Sequence, residues 1–305
     1  MTALVLLLAA ASLLSGFRPG GSLPFVSLTP DLKPGPGTLP QPDPAKPVLR
    51  VGLAAVTSPR ANLKHYTALL DYLGRELDRH VIVVQRQTYA EMNELIAAGK
   101  VDLAFICTNA YVKGQADFGL EIVAAPEVGG KPEYYSYLIV PSDSNARGLL
   151  DLKGGVFAFT DPLSLSGYIV PMYLLKQAGQ TPEGFFRNHI YTYSHDNSIR
   201  AVAERLVEGG HVDSLVYDLV VSRDPELAKR VKIINSVGPF GSPPVVVRPG
   251  LDPELKVSIQ SLLLGLSSSE YGRELLEGVA VDRFVVPDER LYDEARRIAA
   301  GAKAQ

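Results

Sequence analysis

The stretch Phe159-Thr-Asp-Pro-Leu-Ser-Leu-Ser-Gly-Tyr-Ile-Val-Pro171 carries the strongest chemical signal in this chain. It follows an apolar run, 156–159, that reads as a buried strand, and it opens a helix-patterned segment at 168–178. A strand that ends in a Ser/Gly turn at a helix start is suited to hold an anion. The first N–H groups of the helix have no internal partner, and the helix dipole favours negative charge there. Ser164 and Ser166 add hydroxyl donors at the same spot. The same pattern arises if one serine only caps the helix, so both readings stand at this level.

Other corners have a similar form. Ser58-Pro59 follows the strand-like run 48–54 and suits a helix start. Cys107-Thr108-Asn109 follows 102–106. Its thiol is either a small buried hydrophobe or a group at a helix N-terminus, where its pKa falls. Ser194-His195-Asp196-Asn197 follows 190–193, with a cap residue and a loop histidine as the plain reading. Tyr217-Asp218 ends a further expected strand at 214–217, and Asp218 either accepts a proton-bearing oxygen or caps the next segment.

These corners need a scaffold, and its pattern is visible. Apolar strands near 48–54, 81–85, 102–106, 156–159, 190–193, 214–217 and 231–234 alternate with helices near 61–77, 89–98, 167–178, 198–208 and 226–229. Such alternation predicts an α/β fold with right-handed crossovers and mostly parallel sheets. Two β-rich segments, 134–140 and 244–248, read as connections between two lobes. The expected division is 48–137 plus 246–305 for lobe 1 and 138–245 for lobe 2, with the last helices on lobe 1. Residues 1–16 resemble a signal segment, and 17–47, with nine prolines, read as a linker. Both point to an extracytoplasmic protein, with the N-terminus as a possible membrane tether.

The 305 residues are 46% hydrophobic and 21% charged, with net charge −3, so no basic field recruits nucleic acid. One cysteine and five unpaired-looking histidines predict neither a disulfide nor a metal site.

The run at 159–171 resembles the D-P-x-S-x-S-G-[YF]-x-x-P signature of the phosphate/phosphite/phosphonate-binding proteins of ABC transporters. Val51-Gly52, Lys100-Val-Asp-Leu-Ala-Phe105, Tyr134-Tyr-Ser-Tyr-Leu-Ile-Val140, Asp151-Leu-Lys-Gly154 and Ser194-His-Asp-Asn197 follow the same order, over about 48 to 290. The resemblance implies a two-lobed, type 2 periplasmic-binding-protein fold that closes on a small phosphorus oxyanion. It implies no enzyme activity and no cofactor. The expected partners are an ABC permease or, alternatively, a sensor histidine kinase, and the protein is expected to be a monomer. The implied ligand-binding residues are Tyr89, Cys107, Thr108, Tyr134, Ser164, Leu165, Ser166, Gly167, His195 and Asp218. His195 is implied to donate to the anion, which favours its charged form. The pattern departs from the family at Leu165, where a hydroxyl residue is usual. It also lacks an acid near Ser242-Pro243-Pro244, which argues against an amine-bearing ligand. A cysteine near residue 107 binds arsenite in some members of the wider family, which makes arsenite an alternative ligand.

Overall fold

The computed structural model describes residues 46–303. The signal-like segment 1–16 and the proline-rich stretch up to residue 45 lie outside the described residues.

The chain begins with β1 (Val48–Leu53), α1 (Pro59–Glu76), β2 (His80–Gln85), α2 (Tyr89–Ala97), β3 (Leu103–Phe105), α3 (Thr108–Phe118) and β4 (Glu121–Glu127). Local chemistry sets each boundary. Pro59 sits in the first turn of α1, where its missing N–H costs nothing. Thr88 and Glu91 form a reciprocal capping box at α2. Gly119 ends α3 at φ 77°, a conformation that disfavours side chains. Leu49, Val51 and Leu53 of β1 meet Leu69, Leu70 and Leu73 of α1 in one apolar core.

The second lobe comprises β5 (Glu133–Pro141), β6 (Val156–Phe159), α4 (Val170–Gln177), α5 (Pro182–Phe185), β7 (Asn188–Tyr191), α6 (His195–Ala203), β8 (Gly209–Asp213), α7 (Ser214–Arg223), α8 (Pro225–Ala228) and β9 (Val231–Gly241). The chain then returns through β10 (Val245–Val247), α9 (Pro253–Gly265), α10 (Glu270–Gly278), β11 (Arg283–Val285) and α11 (Asp293–Lys303).

Two sheets result among the described residues. The first runs β11-β4-β10-β3-β1-β2 and the second β7-β6-β8-β5-β9. Each holds a parallel block, β2-β1-β3 or β7-β6-β8, extended by antiparallel strands. The sheets are therefore less uniformly parallel than the alternation predicts.

The crossings fall between Glu127 and Glu133 and between Gly241 and Val245. This differs from the expected boundaries at 137/138 and 245/246. Strand β5 belongs whole to the second sheet, because its partners β8 and β9 run its length. A second difference concerns 214–217, which is the start of helix α7 and not a strand. The real strand, β8, begins with Gly209-Gly210, which reads as a turn. Both glycines are needed for close packing: a Cβ on Gly209 would lie 2.7 Å from Leu152 Cδ1, and one on Gly210 3.0 Å from the Ala158 carbonyl oxygen. The last helix also departs from expectation. Ala295, Ile298 and Ala299 of α11 pack on Leu165, Ile169 and Val170 of the second lobe, and Arg297 stacks 5.5 Å over the Tyr173 ring of α4.

Candidate functional site

Helices α1, α2 and α3 of the first lobe and α6 and α7 of the second all start just beyond strands. With the turn at Ser164 they line the interface between the lobes. Backbone and side-chain hydrogen bonds cross it. His195 N–H donates to the Val56 carbonyl at 3.0 Å, and Ser58 N–H to Asp196 Oδ1 at 2.8 Å. Tyr89 N–H donates to Asp161 Oδ2 at 3.1 Å, and Asn109 Nδ2 to the Leu163 carbonyl at 3.0 Å. The lobes are thus closed on one another.

Ser164 caps a single π turn, Leu165–Ile169, closed by Ile169 N–H on the Ser164 carbonyl at 3.0 Å. Such turns are frequent at functional sites. Ser164 Oγ accepts from Gly167 N–H at 3.0 Å and lies 3.3 Å from His195 Nε2. Asp213 N–H donates to His195 Nδ1 at 3.1 Å, so the ring hydrogen sits on Nε2 and points at Ser164. Both acceptor sites of Ser164 are then used, and its own O–H is left to donate. This arrangement excludes a Ser–His nucleophile pair, since Nε2 is a donor and not a base. Residue 195 is also the first residue of a helix, 0% exposed, and not a loop residue. Burial pushes its pKa down to about 3, opposed only by Asp196. Burial favours the neutral ring, because the desolvated site opposes the charge; the imidazolium that the resemblance implies is tied to a neighbouring anion.

Behind the turn, Ser136 Oγ donates to the Ser166 carbonyl at 2.9 Å and accepts from His211 Nδ1 at 2.8 Å. His211 is fully buried, and burial lowers its pKa to about 3. Ser136 lies within the run 134–140, but neither it nor His211 carries a sequence signal for this pairing, which joins residues 75 apart.

The facing corner is Cys107-Thr108. Thr108 Oγ1 donates to the Gly241 carbonyl at 2.9 Å. The N–H groups of Leu165 and Asn109 approach the Cys107 sulfur, one from each lobe, and favour the thiolate. Burial outweighs them and pushes the thiol up to about 11. The lowered pKa expected at a helix N-terminus is not found, because desolvation exceeds the helix-end field. Tyr134 is raised well above the usual phenol range, by burial first and then by Cys107 and Asp213, while Thr108 and Ser166 act the other way. The hydroxyls of Ser166, Tyr134, Ser194 and Ser242 are buried without a hydrogen-bond partner. Tyr89 is fully buried too, its hydroxyl only 3.5 Å from the Ala55 carbonyl.

Asp218 stands apart from this cluster. It lies exposed within α7, beyond the first turn. The residue that follows the strand is Asp213, 2% exposed, whose Oδ1 accepts from Leu215 and Val216 N–H. Burial pushes its carboxyl up to about 7. An Asp immediately before an apolar run is a legible cap signal, but the run here reads as strand. Asp161 is raised as well, chiefly by burial, against the N–H bonds of Leu163 and Tyr89. No cationic side chain is among the charges acting on Asp161, Asp213 or His195. The polar groups gathered here are mainly hydroxyls and backbone N–H groups. No group of metal-ligating side chains occurs among the described residues.

Because Asp161 joins the lobes, Asp161→Asn tests closure. The amide keeps the Leu163 bond but turns a donor toward Tyr89 N–H. Anion affinity is expected to drop about tenfold, with helix content unchanged by circular dichroism. Unchanged affinity would show that this bond does not govern closure.

Comparison with known proteins bears on the family and the fold. The family model for the periplasmic substrate-binding protein of the phosphonate ABC transporter matches residues 51–292. The phosphate-import protein PhnD of Mycolicibacterium smegmatis is 32% identical over 164 residues, 50% of this chain and 51% of that protein. The match thus spans about half the length of that relative. The phosphonates-binding periplasmic protein of Escherichia coli is 26% identical over 72% of this chain and 67% of its own. A binding-protein component of an ABC phosphonate transporter from Pseudomonas aeruginosa superposes with TM-score 0.79 at 23% identity, covering 85% of this chain and 87% of that one. A PhnD protein of Prochlorococcus marinus in complex with methylphosphonate gives TM-score 0.74 at 20% identity, covering 83% and 97%. These structures share the two-lobed type 2 architecture. With its fold and the extent of the family match in agreement, the chain belongs to the periplasmic substrate-binding proteins of phosphonate ABC transporters.

Proposed function

We propose that this protein captures a small phosphorus oxyanion, of the phosphonate class, between its lobes and presents the closed form to an ABC permease. It acts outside the cytoplasm. The oxygens are held by the Leu165 and Ser166 N–H groups, the Ser164, Ser166 and Tyr134 hydroxyls and the Cys107–Thr108 corner. The observation that carries this reading is the pair of orphaned hydroxyls, Ser166 and Tyr134, buried at the closed interface. A buried polar group without a partner costs about 1–3 kcal/mol, and a bound anion offsets that cost. Without a cation in the site, the neutral donors spread the ligand's charge over many bonds.

Calorimetric titration with methylphosphonate, phosphite and phosphate tests it. Ser166→Ala is expected to weaken the tightest of these by about 1–3 kcal/mol, and Tyr134→Phe by a similar amount. Binding of none of the three, or parental affinity in both variants, would sink the reading.

A further inference from the structure

Ser136 of β5 and His211 of β8 are both 0% exposed, and the oxyanion site as proposed uses neither. The register pairs Ser136 with Asp213 and Leu138 with His211, so Ser136, His211 and Asp213 share one face of the β5–β8 pair. That face carries both ends of a hydrogen-bond chain that runs through the turn at Ser164. The single hydroxyl hydrogen of Ser136 goes to the Ser166 carbonyl at 2.9 Å, so the 2.8 Å contact with His211 requires the ring hydrogen on Nδ1. On the other side of the same peptide unit, Gly167 N–H donates to Ser164 Oγ at 3.0 Å. His195 Nε2 meets Ser164 Oγ at 3.3 Å, and His195 Nδ1 is held by Asp213 N–H, back on β8, at 3.1 Å. The chain thus starts and ends on one strand, at His211 and at Asp213. Packing alone does not account for it. His211 Nε2 is left as a buried acceptor without a partner, beside the Phe157 ring, and a leucine there would avoid that cost.

We propose that Ser136 and His211 are positioning residues for the anion: by holding the Ser166–Gly167 peptide at its carbonyl, they fix its N–H on Ser164 and leave the Ser164 hydroxyl able only to donate. The proposal rests on the oxyanion site proposed above. The peptide is pinned at both ends, so it cannot turn without breaking both bonds. A bond to its carbonyl also polarises its N–H, which strengthens the next link of the chain. The neighbouring donors, the Leu165 and Ser166 N–H groups and the Ser166 hydroxyl, belong to the same turn and keep their directions with it. Burial lowers the His211 pKa to about 3, so the ring stays neutral and Nδ1–H is a fixed donor at ordinary pH.

The test is calorimetry with methylphosphonate, phosphite and phosphate on the full chain and its variants, paired with urea unfolding. Ser136→Ala is expected to bind the tightest of the three about tenfold more weakly. His211→Leu is expected to lose a similar factor, yet to unfold at the same or a higher urea concentration, because the orphaned acceptor is gone. A residue that only fills space would do the reverse, with lower stability at parental affinity. Because both residues act through one peptide, the double variant is expected to bind like Ser136→Ala alone. Nitrogen NMR of the histidine side chains in the unliganded parent needs no variant. His211 is expected with its hydrogen on Nδ1, and His195 with its hydrogen on Nε2. Parental affinity in either folded single variant, losses that multiply in the double variant, or a His211 ring protonated at Nε2 would each overturn the proposal while leaving the oxyanion site intact. Binding of none of the three ligands by the parent would overturn both.

Discussion

Gly167→Ala is expected to weaken oxyanion binding at least a hundredfold while leaving the protein folded. The π turn passes so close to β6 that a Cβ at residue 167 would overlap Thr160 Oγ1, lie 2.6 Å from Thr160 Cβ and 3.1 Å from His195 Cε1. Neither neighbour can yield cheaply. Thr160 N–H donates to the Gly167 carbonyl at 3.1 Å, and the His195 ring is pinned by Asp213 N–H and Ser164. The turn must therefore move outward. Overpacking of this kind costs about 1–3 kcal/mol of stability. The larger effect falls on function, because the displaced residues include the Leu165 and Ser166 donors and the Gly167 N–H that fixes the Ser164 hydroxyl. Loss of two charge-assisted bonds amounts to about 3–6 kcal/mol, at least a hundredfold in affinity. Calorimetry with methylphosphonate, paired with circular dichroism, reads the two effects separately. Parental affinity in this variant would mean that the turn is only a helix cap and that the anion binds elsewhere.

Asp213→Asn is expected to stabilise the unliganded protein at neutral pH. The buried carboxyl has a folded-state pKa of about 7 against an ordinary value of 3.8. Between those values the folded state holds a proton that the unfolded chain releases. The Asp213 contribution is therefore fully present below pH 3.8 and is lost as pH rises through about 7. Its loss amounts to at most about 4 kcal/mol, at 1.36 kcal/mol per unit of displacement. The amide keeps the oxygen that accepts from Leu215 and Val216, so the cap survives. His195 and His211 act in the opposite sense. Their folded-state values of about 3 lie below the ordinary 6.5, so their contribution is present above 6.5 and is lost as pH falls toward 3. Urea denaturation from pH 4 to 8 isolates the aspartate as the difference between variant and parent. That difference is expected to be near zero at pH 4, to grow through pH 7 and then to level. A difference that is constant with pH would show that Asp213 is ionised in the folded protein.

Much of the scaffold is written locally. The apolar alternation of β1, β3 and β6, the heptad-like leucines of α1, the Thr88–Glu91 box and Pro59 all act through neighbours a few residues away, so they can be read from the chain. The turn at Ser164 belongs to this class, since Ser164, Ser166 and Gly167 sit together on a strand-to-helix corner. Its motif is what made the family legible.

The remaining features are decided by residues far apart in the chain. Ser214-Leu-Val-Tyr217 is as good a strand as many, and becomes helix because Asp213 caps it while Gly209-Gly210 fit between β5 and β6. Asp218 then turns to solvent, and Asp213 takes the buried position. The low pKa of His195 and the high pKa of Cys107 follow from closure of one lobe on the other, which strips water from both groups. Ser136, His211 and Ser242 join the site only because β5, β8 and the second crossing pass behind it. Hydrophobic period and capping act over single turns and strands, and the sequence shows them directly. Desolvation and hydrogen-bond partnership at the cleft depend on which distant segments meet there, and only the tertiary structure decides that.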